Sequence, residues 1–113
     1  GGASWDTAYF DSHLADPVCQ GSIFAVGREK GHSIIAECNN DDSVQRNNLT
    51  LRISYDEGRS WTRPQVVDRS DEASKKKDYT AYSDIVGLSA KTIGVLYERN
   101  NYKEITFSIL KWR

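Results

Sequence analysis

Three side chains in this sequence are suited to demanding chemistry: the phenol of Tyr82 in Ala81-Tyr-Ser-Asp84, the guanidinium of Arg46 ahead of Asn-Asn-Leu-Thr, and the carboxylate of Glu98 after Val-Leu-Tyr. A phenol attacks carbon only when its proton is drawn off, because its ordinary pKa is about 10. A planar guanidinium grips a carboxylate through two parallel hydrogen bonds, a task that lysine does poorly. By residue type alone each group also has a plainer use. Tyr82, one of six tyrosines, could pack a sheet edge, Arg46 could be a solvated loop charge, and Glu98 could pair with Arg99 or Lys103. The neighbouring motifs decide between these uses.

Other reactive groups point nowhere in particular. Cys19 and Cys38 fit no zinc spacing and no redox motif, and no oxygen or nitrogen ligands cluster at metal spacing, so no cofactor is implied. A turn centred near Glu29 would bring the segments around the two cysteines side by side. Adjacent antiparallel strands seldom offer disulfide geometry, so two free, half-buried thiols are expected. His13 and His32 fall in no motif and read as ordinary strand or loop residues. Asn48-Leu49-Thr50 is a glycosylation sequon, a common tripeptide.

The chain has 113 residues, enough for one small domain with a modest core. Fifteen basic and sixteen acidic residues give a formal net charge of -1, which favours neither nucleic acid nor an anionic membrane as a partner. No apolar run is long enough for a membrane-spanning helix. There is no methionine, at position 1 or elsewhere, so the start does not read as a translation start, which leaves open that the chain is one piece of a larger fold.

The elements that must position these groups read as short strands. Ser22-Ile-Phe-Ala-Val26, a turn over Gly27-Arg-Glu-Lys-Gly31, and His32-Ser-Ile-Ile-Ala-Glu-Cys38 predict a hairpin. Leu49-Thr-Leu-Arg-Ile-Ser-Tyr55 alternates with period two and places Leu49, Leu51 and Ile53 on one face. Thr62-Arg-Pro-Gln-Val-Val67 returns. A charged stretch over residues 68–78, ending in Lys75-Lys-Lys77-Asp78, reads as a solvated loop. Three more strands follow, Tyr82 to Leu88, Thr92 to Tyr97 and Glu104 to Lys111, and no stretch carries a helical stripe.

Four strands in meander order, a loop and three more strands are the rhythm of β-propeller blades. The fold class expected is all-β, about two blades of a propeller: residues 16–68 form one blade and residues 80–113 three strands of the last. Both faces of a blade are apolar because each packs on a neighbour, so two blades alone would expose a large apolar surface.

The segment Ser54-Tyr-Asp-Glu-Gly-Arg-Ser-Trp61 lies between the third and fourth strands. An aspartate at the start of a turn accepts backbone N–H groups, a glycine supplies positive φ, and an indole packs over the hairpin. It resembles the Asp-box of sialidases, Ser-x-Asp-x-Gly-x-x-Trp, with Ser54, Asp56, Gly58 and Trp61 at the four defining positions. Asp16-Pro-Val-Cys-Gln-Gly-Ser22, Arg46-Asn-Asn-Leu-Thr-Leu51, Ala81-Tyr-Ser-Asp84 and Thr92-Ile-Gly-Val-Leu-Tyr-Glu98 follow the order and spacing of the C-terminal part of bacterial and animal exo-α-sialidases. The resemblance runs from about Asp16 to the end. The segment between Cys38 and Asn47 departs from the family's Ser-Asn-Pro pattern.

The resemblance implies a six-bladed propeller, with hydrolysis of terminal α-linked sialic acid at retained configuration. Tyr82 takes the place of the nucleophile. A neutral phenol suits an anomeric carbon that bears a carboxylate, where a second carboxylate would be repelled; this departs from the usual two-carboxylate scheme. Arg46 takes the place of the third arginine of a triad that clamps the sugar carboxylate. Glu98 takes the place of the glutamate that orients the first arginine. The first two arginines, the aspartate acid/base and the glutamate that activates the tyrosine have no counterpart here. They are expected from an N-terminal portion of the same propeller, which nicking in a loop would leave as a separate chain. The partners implied are sialylated glycans, in a secreted, cell-surface or lysosomal setting. A trans-sialidase would use the same residues, and a non-catalytic sialic-acid-binding scaffold would keep the fold alone. Tyr82, Arg46 and Glu98 are expected to face one another around a shared pocket.

Overall fold

The computed structural model describes residues 2–71 and 78–113; Lys75, Lys76 and Lys77 of the expected charged loop lie outside the described residues. Two antiparallel sheets account for all the regular structure described, with no helix. The first joins β1 (Ser22–Glu29), β2 (His32–Asn40), β3 (Leu49–Ser54) and β4 (Gln65–Asp68) in sequence order. The second joins β5 (Thr80–Gly87), β6 (Thr92–Arg99) and β7 (Glu104–Lys111), again in sequence order.

Local chemistry explains the boundaries. The β1–β2 turn is shorter than expected, only Lys30 and Gly31, both at positive φ (49° and 86°), as a two-residue hairpin turn with right-handed twist demands. Gly27 is therefore a strand residue, and the register slips between Ala25 and Gly27. A glycine inside a strand commonly marks such a bulge. At the other end of the sheet, β4 begins only at Gln65. Pro64 has no N–H to give a ladder, and Thr62 has already turned its N–H to Ile53 O (2.8 Å) and its hydroxyl toward Ile53 N (3.0 Å).

Between β3 and β4 the serine and aspartate of the box divide the work. Ser54 Oγ accepts from Gly58 N (2.7 Å) and donates to Asp56 Oδ1 (2.8 Å). Asp56 then accepts from Ser60 N (2.8 Å) and Ser60 Oγ (2.6 Å). These bonds, led by the Ser60 hydroxyl, hold the Asp56 carboxyl down to about 2. Gly58 stands at φ 90° beneath the Trp61 ring, whose N–H donates to Asp11 (3.1 Å).

The core lies between the sheets. Ile34, Ala36, Cys38, Leu49, Leu51 and Ile53 of the first sheet meet Ile85, Ile93, Val95 and Tyr97 of the second, with Trp112 alongside. Burial pushes the Cys38 thiol up to about 12, and both cysteines are free. Polar bonds cross the same interface. Thr80 Oγ1 donates to Asn40 Oδ1 (2.6 Å), and Asn40 Nδ2 donates to Ala81 O (3.2 Å). Asn40→Ala would leave a buried hydroxyl and a buried carbonyl unpaired, and should cost about 2–4 kcal/mol, read as a lower urea midpoint at unchanged slope. The sequon is also absorbed into structure: Asn48 Nδ2 donates to Asp41 O (3.0 Å) and Thr50 Oγ1 to Asn48 O (2.8 Å).

Strand β3 is buried on both faces, not on the leucine face alone. On the other face Arg52 lies opposite Glu37, and the segment before β1 crosses above them, where Asn39 Nδ2 donates to Ala15 O (2.7 Å). Arg52 turns mainly to Asp41 (2.6 Å), with Glu37 Oε2 more distant at 3.8 Å. Glu37 is 8% exposed, and its Oε2 accepts no hydrogen bond among the described residues. Burial, only partly offset by Arg52, pushes its carboxyl up to about 7.

An unfolded glutamate ionises near 4.5, so between pH 4.5 and about 7 the unfolded chain gives up a proton that the folded one keeps. Stability therefore falls as pH rises through that window and is flat above it. The loss is on the order of 2–3 kcal/mol. Glu37→Gln should recover most of it at pH 8 and nothing at pH 4, measured by urea unfolding at both values. An equal difference at both would refute the burial argument.

Candidate active site

Tyr82 owes its position to an irregularity in β5. Thr80 pairs with Arg99 and Ser83 with Tyr97, so Ala81 and Tyr82 together oppose Glu98. Such a bulge re-aims a side chain and removes an N–H from the ladder. Tyr82 emerges half exposed, and its N–H is turned toward Glu98 Oε2 at 3.4 Å. Glu98 thus caps the bulge that presents Tyr82. Arg99, its neighbour, turns to Asp68 (2.6 Å) and Glu104 (2.9 Å).

The next residue is bolted down. β5 is an edge strand, and the Gln20 side chain covers its edge as a further strand would. Gln20 Oε1 accepts from Ser83 N (3.2 Å) and Gln20 Nε2 donates to Ser83 O (3.2 Å). Ser83 Oγ also donates to Cys38 O (3.2 Å) and meets Ser22 Oγ (3.2 Å), so both sheets fix the residue after Tyr82.

Arg46 arrives from the β2–β3 connection. Its guanidinium carbon stands 5.6 Å from the centre of the Tyr82 ring, a cation–π distance. One terminal nitrogen donates to Tyr102 Oη (3.0 Å) and the other to Val18 O (3.1 Å). Its own carbonyl accepts from Thr80 N (3.1 Å). The Tyr102 bond raises the guanidinium further above its already high pKa. Cys19 lies beside it, its thiol raised by burial.

A cavity of about 480 Å³ opens over this part of the second sheet, lined by Gln20, Tyr82, Ser83, Asp84, Leu96, Tyr97, Glu98 and Ile105. The structure therefore brings the three expected residues together, with one correction to their arrangement. Tyr82 and Glu98 line the cavity; Arg46 does not, and it lies over the face of the phenol ring, not opposite its hydroxyl. The bonds to Val18 and Tyr102 hold it there. Tyr102, Gln20 and the Val18 carbonyl were not singled out from the sequence. Gln20 stood inside a recognisable segment, whereas nothing about Tyr102 distinguished it from the other tyrosines.

The site can hold an anion beside a phenol, with a carboxylate behind the phenol's backbone. No protein-family model matches the chain, and no curated protein matches it. Among solved structures it is similar to the Hadza microbial sialidase Hz136, with a TM-score of 0.68 and 27% identity over 86% of this chain and 18% of that one. The fold is sialidase-like. This chain spans under a fifth of the sialidase it resembles.

Proposed function

We propose that the chain is the C-terminal portion of a six-bladed Asp-box propeller, an exo-α-sialidase that releases terminal α-linked sialic acid from glycoconjugates with retention. The observation that carries this reading is the meeting of Arg46, Tyr82 and Glu98 at one bulged strand of a sialidase-like fold. Arg46 binds the sugar carboxylate and draws the anomeric carbon toward the phenol. Tyr82 Oη bonds to that carbon as the bond to the leaving oxygen breaks, and water later displaces the phenol, so two inversions give retention. Glu98 caps the bulge and presents carboxylate to a guanidinium from the rest of the propeller.

That remainder supplies two further arginines, the acid that protonates the leaving oxygen and the base that takes the phenol proton. Exposed Phe107 and Ile109 on the outer face of the second sheet, outside the cavity lining, give it an apolar surface to pack on. The reading is tested on the full-length protein with a fluorogenic α-sialoside. Release of the fluorophore, with the α-anomer of sialic acid appearing first by proton NMR, supports it. Saturable binding without release would make the protein a sialic-acid-binding scaffold.

A further inference from the structure

The β6–β7 turn contains three successive left-handed residues, Asn100 (φ 53°), Asn101 (φ 55°) and Tyr102 (φ 62°). Asparagine tolerates this region, whereas for a bulky aromatic residue it is an outlier that persists only where surrounding contacts enforce it. Asn100 also bonds within the hairpin, its Nδ2 donating to Glu104 Oε1 (2.8 Å), whereas the contacts of Tyr102 run toward the site. Tyr102 Oη donates to Asp78 Oδ2 (3.1 Å) and accepts from Arg46 (3.0 Å). The backbone repeats the connection: Asn101 N donates to Asp78 O (3.1 Å), Asn100 N to Tyr79 O (2.7 Å), and Thr80 N to Arg46 O (3.1 Å). One strained turn, the start of β5 and the β2–β3 connection are thus tied into one unit around a single hydroxyl.

We propose that Tyr102 is a positioning residue that aims the Arg46 guanidinium at the substrate carboxylate without neutralising it. The proposal rests on the reading of Arg46 as the carboxylate clamp. A phenol has one proton to give and lone pairs to accept with. Asp78 takes the proton, so the oxygen is left facing Arg46 as an oriented, uncharged acceptor. Were Asp78 bonded to Arg46 directly, its charge would compete with the carboxylate that the guanidinium has to bind. Placing a hydroxyl between them keeps the aim and removes the competition. Val18 O, the second anchor, is likewise a neutral acceptor. Together the two anchors use one N–H on each terminal nitrogen, which leaves three of the five N–H groups without a partner among the described residues.

Tyr102→Phe in the full-length protein removes the hydroxyl and keeps the ring that occupies the turn. Titration calorimetry with an unsaturated sialic-acid glycal, and with the same glycal as its uncharged carboxamide, reads the effect without needing turnover. The variant should bind the acid about 10- to 100-fold more weakly and the carboxamide as well as the parent does, with kcat/KM falling mainly through KM. Combined with Arg46→Ala it should add nothing to the loss that Arg46→Ala causes alone, since both act through one guanidinium. Equal weakening toward both glycals would make Tyr102 merely structural and overturn the proposal. Unchanged affinity for the acid in Tyr102→Phe, with a large loss in Arg46→Ala, would overturn it while leaving the Arg46 reading intact. No loss in Arg46→Ala would remove that reading first.

Discussion

Tyr82→Phe in the full-length protein should lower kcat on a fluorogenic sialoside by at least about 10³-fold, because on the proposed mechanism it removes the oxygen whose covalent bond splits the reaction in two, and the Asp84 and Glu98 carboxylates on the same cavity would be repelled by the sugar carboxylate. The fold should be untouched. Tyr82 is half exposed, and the side-chain bonds that shape its strand run through Thr80, Ala81, its own N–H and Ser83, none among the described residues through the phenol oxygen. Affinity for the glycal should change little, which separates a lost nucleophile from a damaged pocket. Near-normal turnover in this variant would remove Tyr82 from the mechanism.

Arg46→Lys should raise KM by about 10- to 100-fold and reduce affinity for the acid glycal in proportion, although the charge is kept. The reason is geometric. The guanidinium spans Val18 O and Tyr102 Oη with two different nitrogens while its plane lies over the Tyr82 ring. A lysine ammonium is a single point and can satisfy one of those anchors or the sugar carboxylate, not all of them. The check is isothermal titration beside steady-state kinetics. A lysine variant that binds as tightly as the parent would show that Arg46 supplies only charge.

What the sequence made legible was local. Ser54, Asp56, Gly58 and Trp61 act on one another within a few residues, so their spacing alone encoded the turn, and period-two alternation encoded β3. Tyr82, Arg46 and Glu98 stood out as candidates only through the motifs around them. What stayed hidden depends on distant segments. A charged pair such as Glu37 and Arg52 reads as solvent-facing until the segment carrying Ala15 is seen to cross it. The bulge at Ala81 and Tyr82 exists because Gln20, Asn40 and Glu98 hold β5 from outside its own run. Gly27 looked like punctuation because a glycine marks turns and bulges alike, and the register against β2 decides which. Tyr102 sits in a polar hairpin of no distinctive composition, and only the placement of Arg46 gives it meaning.

The closed circuit of Ser54, Asp56, Gly58 and Ser60 also bears on the order of assembly. Every bond in it links residues only a few positions apart, and loops of that size close in about 10–100 ns, well before contacts between sheets can be sampled. The third and fourth strands can thus find their register early and offer a finished ribbon on which the later strands condense. Destabilising this corner should slow refolding, whereas cutting the ties around Asn40 should hasten unfolding.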